Sequence, residues 1–384
     1  MDSQQIHRGL EGITVAETRL SDIDGENGEL FIAGFPVEEL ATNATYEETL
    51  FLLLNDRLPT AAEYESFRDE LATRRGITEE TRALLEQAAA EEEPPMDALR
   101  MGLAAATLGD DGDAPEEKAK RAIAVVPTVI ATYWRYRRGA EPVDPDPGLG
   151  HAANYLYMLN GEEPDEAAVR GVETYLNTVV DHGLNASTFT ARVVVSTESD
   201  VISAATAAVG TLKGPLHGGA PGPVLDMLQE VHERGEPEAH VRDTLDAGER
   251  LMGFGHRVYD VRDPRAAVLS TAAERFYGES GDSDFFETVT TFERTAADVL
   301  AQERPNLSLE TNVEYYTAAL LNGVGIPRDL FTTTFAAARV GGWMAHSLEQ
   351  LADNRIIRPR SRHTGTHGRT WTPREERAVS SQPL

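Results

Sequence analysis

One carboxylate, two glycine-framed histidines and a set of arginines are the residues of this chain best suited to chemistry. Glu314 stands in TNVEYYTAALLNG (311–323), between an Asn–Val pair and a run that turns small and apolar. Alone, that stretch fits a helix-surface charge as well as an acid–base group. His217 stands in GPLHGGA, where glycines at 214, 218 and 219 let backbone approach a ligand and present its N–H groups. His256 stands in GFGHRVYDVRDPR, with Arg257, Arg262 and Arg265 close by. Guanidinium forks suit carboxylate or phosphate. Two readings are open: tight turns carrying incidental histidines, or a ligand site. The pairing of two such clusters in the second half of the chain favours the ligand site. His182, in DHGLNASTFTAR between Asp181 and Asn185, is a candidate substrate ligand or a satisfied core histidine.

The remaining histidines point elsewhere. His363 and His367 are four apart, but glycine and threonine separate them where a metal pair would need a helix, so they read as part of a basic surface tail. No zincin-type glutamate accompanies them and the chain has no cysteine, which argues against a catalytic metal. His7, His151, His232, His240 and His346 read as structural or surface residues. Neither a Walker A loop nor a Rossmann fingerprint is present.

The elements that must hold these residues are helical. Residues 8–36 carry short apolar pieces split by DIDGENG, a turn-rich or hairpin-like lead-in. From residue 37 onward the 3.6-residue period dominates, with Thr45 three residues before Glu48 as a capping box. EEKAKRAIAVVPTVIATYWRYRRG is a further helix, expected to be bent or interrupted at Pro127. EPVDPDPG (141–148) is a turn-rich linker, and helical character ends near Asp353 before an Arg-rich coil. A predominantly α fold with little sheet is expected.

Composition bounds the setting. A chain of 384 residues is long enough for a large core or two domains. Its longest apolar runs, such as AIAVVPTVIA (122–131), are too short to span a bilayer, and MDSQQIHRGLEG has neither a basic leader nor an apolar h-region, so secretion is not expected. The absence of cysteine fits a cytoplasmic location. Asp and Glu number 64 against 35 basic residues, a formal charge of −29, and only Lys118, Lys120 and Lys213 among the basic residues are lysine. Such a field repels nucleic acid and anionic membrane. Molar salt shortens the Debye length to about 3 Å and screens the self-repulsion. An acidic, nearly lysine-free composition therefore points to a salt-loving cytoplasm, with an acidic protein of a GC-rich genome as the alternative.

Taken together, the segments resemble the citrate synthase family. RGLEGITVAETRLSDIDGENGELFIAGF, LFLLLNDRLPT, DHGLNASTFTARVVVSTESD, LKGPLHGGAPGPVLDML, GFGHRVYDVRDPRA, NVEYYTAAL, AARVGGWMAHSLEQ and NRIIRPR follow in family order, over about residues 8–375. The resemblance implies an all-α homodimer. A large helical domain would be formed from residues 1–218 and 319–384, and a smaller one, 219–318, would close over substrate. The implied reaction condenses acetyl-CoA with oxaloacetate and water, giving citrate and CoA; close relatives use propionyl-CoA and make 2-methylcitrate. His217 would hold the thioester oxygen as the enol forms, and His256 would polarise the ketone. Glu314 would be the base. His182, Arg265 and Arg339 would bind oxaloacetate, joined by Arg358 of the partner subunit, and Gly253, Phe254, Gly255 and Arg257 would contact CoA. No cofactor is implied, CoA thioester being a substrate.

The residue types suit that chemistry. A thioester α-proton is a weak acid, so its removal needs a placed carboxylate and a donor at the developing enolate oxygen. A dicarboxylate needs arginine forks. Two departures from the family pattern stand out. The family base is aspartate in N-V-D, whereas this chain has Asn312-Val313-Glu314, which moves the carboxylate by roughly 1–1.5 Å; about 1 Å of misplacement costs about a hundredfold in rate. Ala33 stands in FIAGF where the family usually has arginine. A 2-methylcitrate synthase and a weakly active CoA-binding paralogue with a regulatory role are the alternatives.

Overall fold

A computed structural model describes residues 6–106, 114–219, 221–255, 258–259, 261–280, 283–304 and 309–377. His256 and Arg257 lie outside the described residues. The chain opens with strands β1 (Ser21–Asp24), β2 (Glu29–Ile32) and β3 (Phe35–Pro36) in one antiparallel sheet of that order, with Ser21 opposite Ile32 and Phe31 opposite Pro36. Asp24 makes the β1–β2 turn: its carboxylate accepts from the N–H groups of Glu26 (3.1 Å) and Asn27 (2.9 Å). The predicted hairpin-like lead-in is therefore present.

The rest is helical, as predicted. The first group comprises α1 (Val37–Asn43), α2 (Tyr46–Asn55), α3 (Ala61–Thr73), α4 (Glu79–Ala90), α5 (Pro95–Ala104) and α6 (Pro115–Arg137). Next come α7 (His151–Asn160), α8 (Glu166–Val179), α9 (Ala186–Val195) and α10 (Val201–Leu212). After them lie α11 (Pro221–Arg234), α12 (Pro237–Asp246), α13 (Pro264–Ser280), α14 (Ser283–Glu303), α15 (Val313–Gly323) and α16 (Phe331–Ala352). Their starts are written in the sequence. Thr45 and Glu48 form the expected capping box on α2, Thr60 and Glu63 form another on α3, and Asp165, Asn185, Asp200 and Asn312 each cap a helix through a side-chain oxygen. α6 runs uninterrupted through Pro127, so the interruption that was one of the two expectations there is absent; the stretch from Ala122 to Tyr133 is buried, and the helix packs against α4, α5 and α16. The 141–148 segment is irregular as expected, pinned by Arg75, whose Nη1 donates to the carbonyls of Asp146 (3.0 Å) and Leu149 (2.8 Å).

α16 is the central element. It is buried over most of its length and packs on α2, α6, α8, α9 and α10. Two adjacent glycines allow the close approach. A Cβ on Gly341 would stand 2.5 Å from Leu50 Cδ2, and one on Gly342 would stand 2.4 Å from the Val180 carbonyl oxygen. Helices α11 to α15 pack among themselves, and α13 also lies on α8 and α1. No described helix is long and apolar enough to cross a membrane.

Candidate active site

The site forms where the ends of α8, α9, α10, α13 and α15 meet the flank of α16. Asn185 begins the assembly: its Oδ1 accepts from the N–H groups of Ser187 and Thr188 (3.1 Å each), starting α9 and fixing Ser187. His217 lies in the bend after α10, its own N–H donating to the Gly214 carbonyl (2.9 Å). Its Nε2 is 2.9 Å from Ser187 Oγ and accepts from the Ser187 backbone N–H at 3.3 Å. Trp343 of α16 donates from Nε1 to the same Ser187 Oγ (3.0 Å). A backbone N–H can only donate, so Nε2 is the acceptor nitrogen and the proton of neutral His217 sits on Nδ1. Burial, reinforced by the Arg339 cation, pushes the His217 pKa down to about 4. At neutral pH the ring is thus an uncharged Nδ1–H donor, suited to an oxygen that gains negative charge.

Glu314 is in the first turn of α15. Asn312 caps that helix, accepting from the Glu314 N–H at 3.0 Å. The same asparagine ties α15 to the glycine segment 253–255: its Nδ2 donates to the Gly255 carbonyl (2.9 Å) and its N–H to the Gly253 carbonyl (2.9 Å). The Gly255 N–H in turn donates to the Glu310 carbonyl (2.8 Å), and Phe254 pairs with Thr311 as an isolated antiparallel bridge. Gly253 has φ +85° and a Cβ there would meet Tyr315 Cδ2 at 2.8 Å, so only glycine fits. Glu314 is partly buried, and no described residue donates a hydrogen bond to its carboxylate. Burial raises its pKa to about 7; Arg265 and Arg339 oppose that rise while Asp263 adds to it. A carboxylate titrating near neutrality is well matched to accepting a proton.

Arg265 and Arg339 supply the positive charge. Arg265 is held by Asp263, which accepts from Nε at 3.0 Å and from Nη2 at 2.8 Å, and the Asp263 carboxylate also accepts the Val313 N–H at 3.3 Å. One buried carboxylate therefore joins the starts of α13 and α15. Arg339, on α16, donates from Nε to the Val179 carbonyl (2.7 Å) and lies 4.6 Å from the centre of the Phe335 ring. Among the described residues its two terminal nitrogens make no hydrogen bond, leaving them to a ligand. Burial lowers its pKa to about 10, and Arg265 pushes the same way. His182 completes the group, its Nε2 lying 3.0 Å from the Tyr259 hydroxyl, whose ring is in turn 5.8 Å from the Arg265 guanidinium carbon.

The fold thus gathers His182, His217, Arg265, Glu314, Arg339 and the 253–255 backbone. Arg358 is not among them. It is exposed on the segment after α16, and the neighbouring Ile357 N–H donates to Ser196 Oγ (3.0 Å) at the far end of α9 from Ser187. His346, read from sequence as structural or surface, is wholly buried: Nε2 is 3.2 Å from Asp181 Oδ2 and Nδ1 is 3.0 Å from Arg192 Nη1. Arginine only donates, so Nδ1 accepts and Nε2–H is directed at Asp181, bracing the residue before His182. Ser187, Trp343, Tyr259 and Asp263 were not singled out by sequence reasoning. Asp263 carried a signal, being two residues from an expected substrate arginine.

Gly342 tests how tightly this frame is set. An added methyl would stand 2.4 Å from the Val180 carbonyl oxygen and 2.8 Å from Asp181 Oδ1. Gly342→Ala is expected to destabilise the fold by about 1–3 kcal/mol through overpacking, read by urea denaturation. Unchanged stability would show that α16 and the α8–α9 corner can part without cost.

Comparison with known proteins shows the family of the chain. Residues 9–360 match the family described as citrate synthase, C-terminal domain. A citrate synthase of Haloferax volcanii is 46% identical over 98% of this chain and 100% of its own. The crystal structure of citrate synthase from Pyrobaculum aerophilum superposes with a TM-score of 0.88 at 36% identity, covering 97% of this chain and 95% of that one. The ternary complex of carboxymethyl coenzyme A and oxaloacetate with citrate synthase from Thermoplasma acidophilum gives 0.87 at 29% identity, over 97% and 100%. The chain belongs to the citrate synthase family.

Proposed function

We propose that this protein condenses acetyl-CoA with oxaloacetate and water to give citrate and CoA, with Glu314 as the base. The carrying observation is the pairing of a carboxylate poised near pH 7 with a neutral His217 whose free proton is on Nδ1. In this reading Glu314 takes a proton from the thioester methyl while His217 Nδ1–H donates to the forming enolate oxygen. The enol carbon then attacks the oxaloacetate ketone, whose oxygen takes a proton from His256. Water hydrolyses the citryl thioester, releasing citrate and CoA. Arg339 and Arg265 bind the oxaloacetate carboxylates, with Asp263 holding Arg265 in place. His182 is a further oxaloacetate ligand, and Gly253, Phe254, Gly255 and Arg257 contact CoA.

The same proposal makes the working unit a homodimer in which residues 219–318 close over the site. Support comes from Arg358, which is exposed and tethered away from Ser187 in its own chain and so is available to a partner. The charge of −29 and the Haloferax volcanii relative support a salt-adapted protein, with the cytoplasm as its place of work.

Release of CoA thiol in concentrated KCl tests the reading. Thiol is expected only when oxaloacetate is present, and faster with acetyl-CoA than with propionyl-CoA. Preference for propionyl-CoA would convert the assignment to a 2-methylcitrate synthase, one methylene being worth about 1–3 kcal/mol of discrimination. A folded protein that released no thiol from either donor would sink the enzyme reading. The base must be ionised, so kcat/KM is expected to rise with pH through about 7 and level off above it. A rate already flat from pH 5 upward would contradict Glu314 as the base.

A further inference from the structure

Tyr175 lies one turn before the end of α8 and is fully buried, yet its hydroxyl makes no hydrogen bond among the described residues. Its helix neighbours all place a side-chain donor. Thr174 and Thr178 donate back to the carbonyls of Arg170 (2.9 Å) and Thr174 (2.6 Å), and Asn177 Nδ2 reaches the Ala44 carbonyl (2.8 Å). Buried hydroxyls usually find a partner, so an orphaned phenol beside a reaction site calls for a role.

The charged and polar groups that act on Tyr175 are Glu314, Arg339, Tyr155 and Arg265. Two of these are guanidiniums, which only donate and cannot take the phenol proton. The Tyr155 hydroxyl is already paired with Thr334 Oγ1 at 2.8 Å. Glu314 is left as the one anionic acceptor in that set, and its carboxylate likewise receives no hydrogen bond from a described residue. Donor and acceptor are therefore both unsatisfied on facing helices, α8 and α15, which pack together. Glutamate also has one more rotatable bond than the aspartate of the family motif, and an unheld side chain spreads over several rotamers.

We propose that Tyr175 is a positioning residue for the base: as the site closes on substrate, its hydroxyl donates to one Glu314 oxygen and leaves the other on the α-proton. This rests on Glu314 being the base. It explains how the longer side chain of this protein is held.

Tyr175→Phe is the test, read in the full-length protein by initial rates from pH 5 to 9, by calorimetric binding of oxaloacetate and by thermal melting. Phenylalanine keeps the ring and deletes only the orphan oxygen, so the melting temperature is expected to hold or rise. Turnover is expected to fall about ten- to a hundredfold, the cost of a base misplaced by about 1 Å, with oxaloacetate affinity unchanged. The groups facing Glu314 are Arg265, Asp263, Arg339 and Tyr175. Removing the only neutral donor among them strips stabilisation from the ionised carboxylate, so the acid limb of kcat should move to higher pH. In a Glu314→Asp background the same substitution should change kcat less than twofold. Unchanged kcat in Tyr175→Phe would overturn the proposal. So would a loss confined to oxaloacetate affinity, which would make Tyr175 a substrate ligand, or a fall in melting temperature with an unshifted pH profile. Retained turnover in Glu314→Gln would instead overturn the base assignment itself, so the two failures are distinct.

Discussion

Glu314→Gln is expected to cut turnover by about a thousandfold, inside the 10²–10⁴ range that a positioned general base supplies, while oxaloacetate binding measured by calorimetry stays nearly unchanged. The amide keeps the size of the side chain and its place in the first turn of α15, where the main-chain N–H is held by Asn312 at 3.0 Å. What disappears is the ability to take a proton. Stability should move the other way. Folding raises the Glu314 pKa from its ordinary value to about 7, so the folded chain binds more protons than the unfolded one between those values. Stability from this group is therefore full below the unfolded pKa and is lost as pH rises through about 7. Glutamine never ionises, so the variant is expected to melt at a higher temperature than the parent at pH 8, with the gap closing toward pH 4. Full turnover in the variant would remove Glu314 from the mechanism.

Asp263→Ala is expected to be the most destabilising single change near the site, by about 3–5 kcal/mol. Arg265 and Asp263 are 4% and 0% exposed at the side chain, so removing the carboxylate strands a buried guanidinium rather than releasing it to water. The carboxylate also receives the N–H groups of Arg265 (3.0 Å) and Val313 (3.3 Å), so its loss unties the start of α13 from the start of α15. Urea denaturation measures the first effect. Oxaloacetate affinity and kcat measure the second, and both should fall, since Arg265 loses its bidentate partner and Glu314 its anchorage. Stability within 1 kcal/mol of the parent would show that Arg265 finds another counter-charge.

The difference between what was legible in the sequence and what was not follows from how far each signal reaches. Helix starts are local events: Thr45 with Glu48, and Asn312 before Val313, announce their own caps, and the structure has both. Pro127 does not interrupt its helix, because its effect decides the outcome only in an isolated helix. In α6 the surrounding turn is buried against α4, α5 and α16, and that packing holds the helix continuous. Glycine-framed His217 was visible because the unusual backbone it needs is spelled in its neighbours. Ser187 and Trp343 were not, since Ser187 meets His217 30 positions away along the chain, Trp343 meets Ser187 156 positions away, and neither residue type is unusual where it occurs. For His346 the structural one of the two readings holds, and the sequence left them open because nothing beside it reports its contact with Asp181, 165 positions earlier.

The contact between His217 Nε2 and the Ser187 main-chain N–H has a consequence for how this site tolerates mutation. The donor that fixes the tautomer belongs to the backbone, so replacing serine removes a hydroxyl and leaves the amide. Drift at position 187 can retune the depth of the pocket or the grip of Trp343 without turning His217 from a proton donor into a proton acceptor. The division of labour between histidine and glutamate is thus written into the start of a helix, beyond the reach of most single-codon changes.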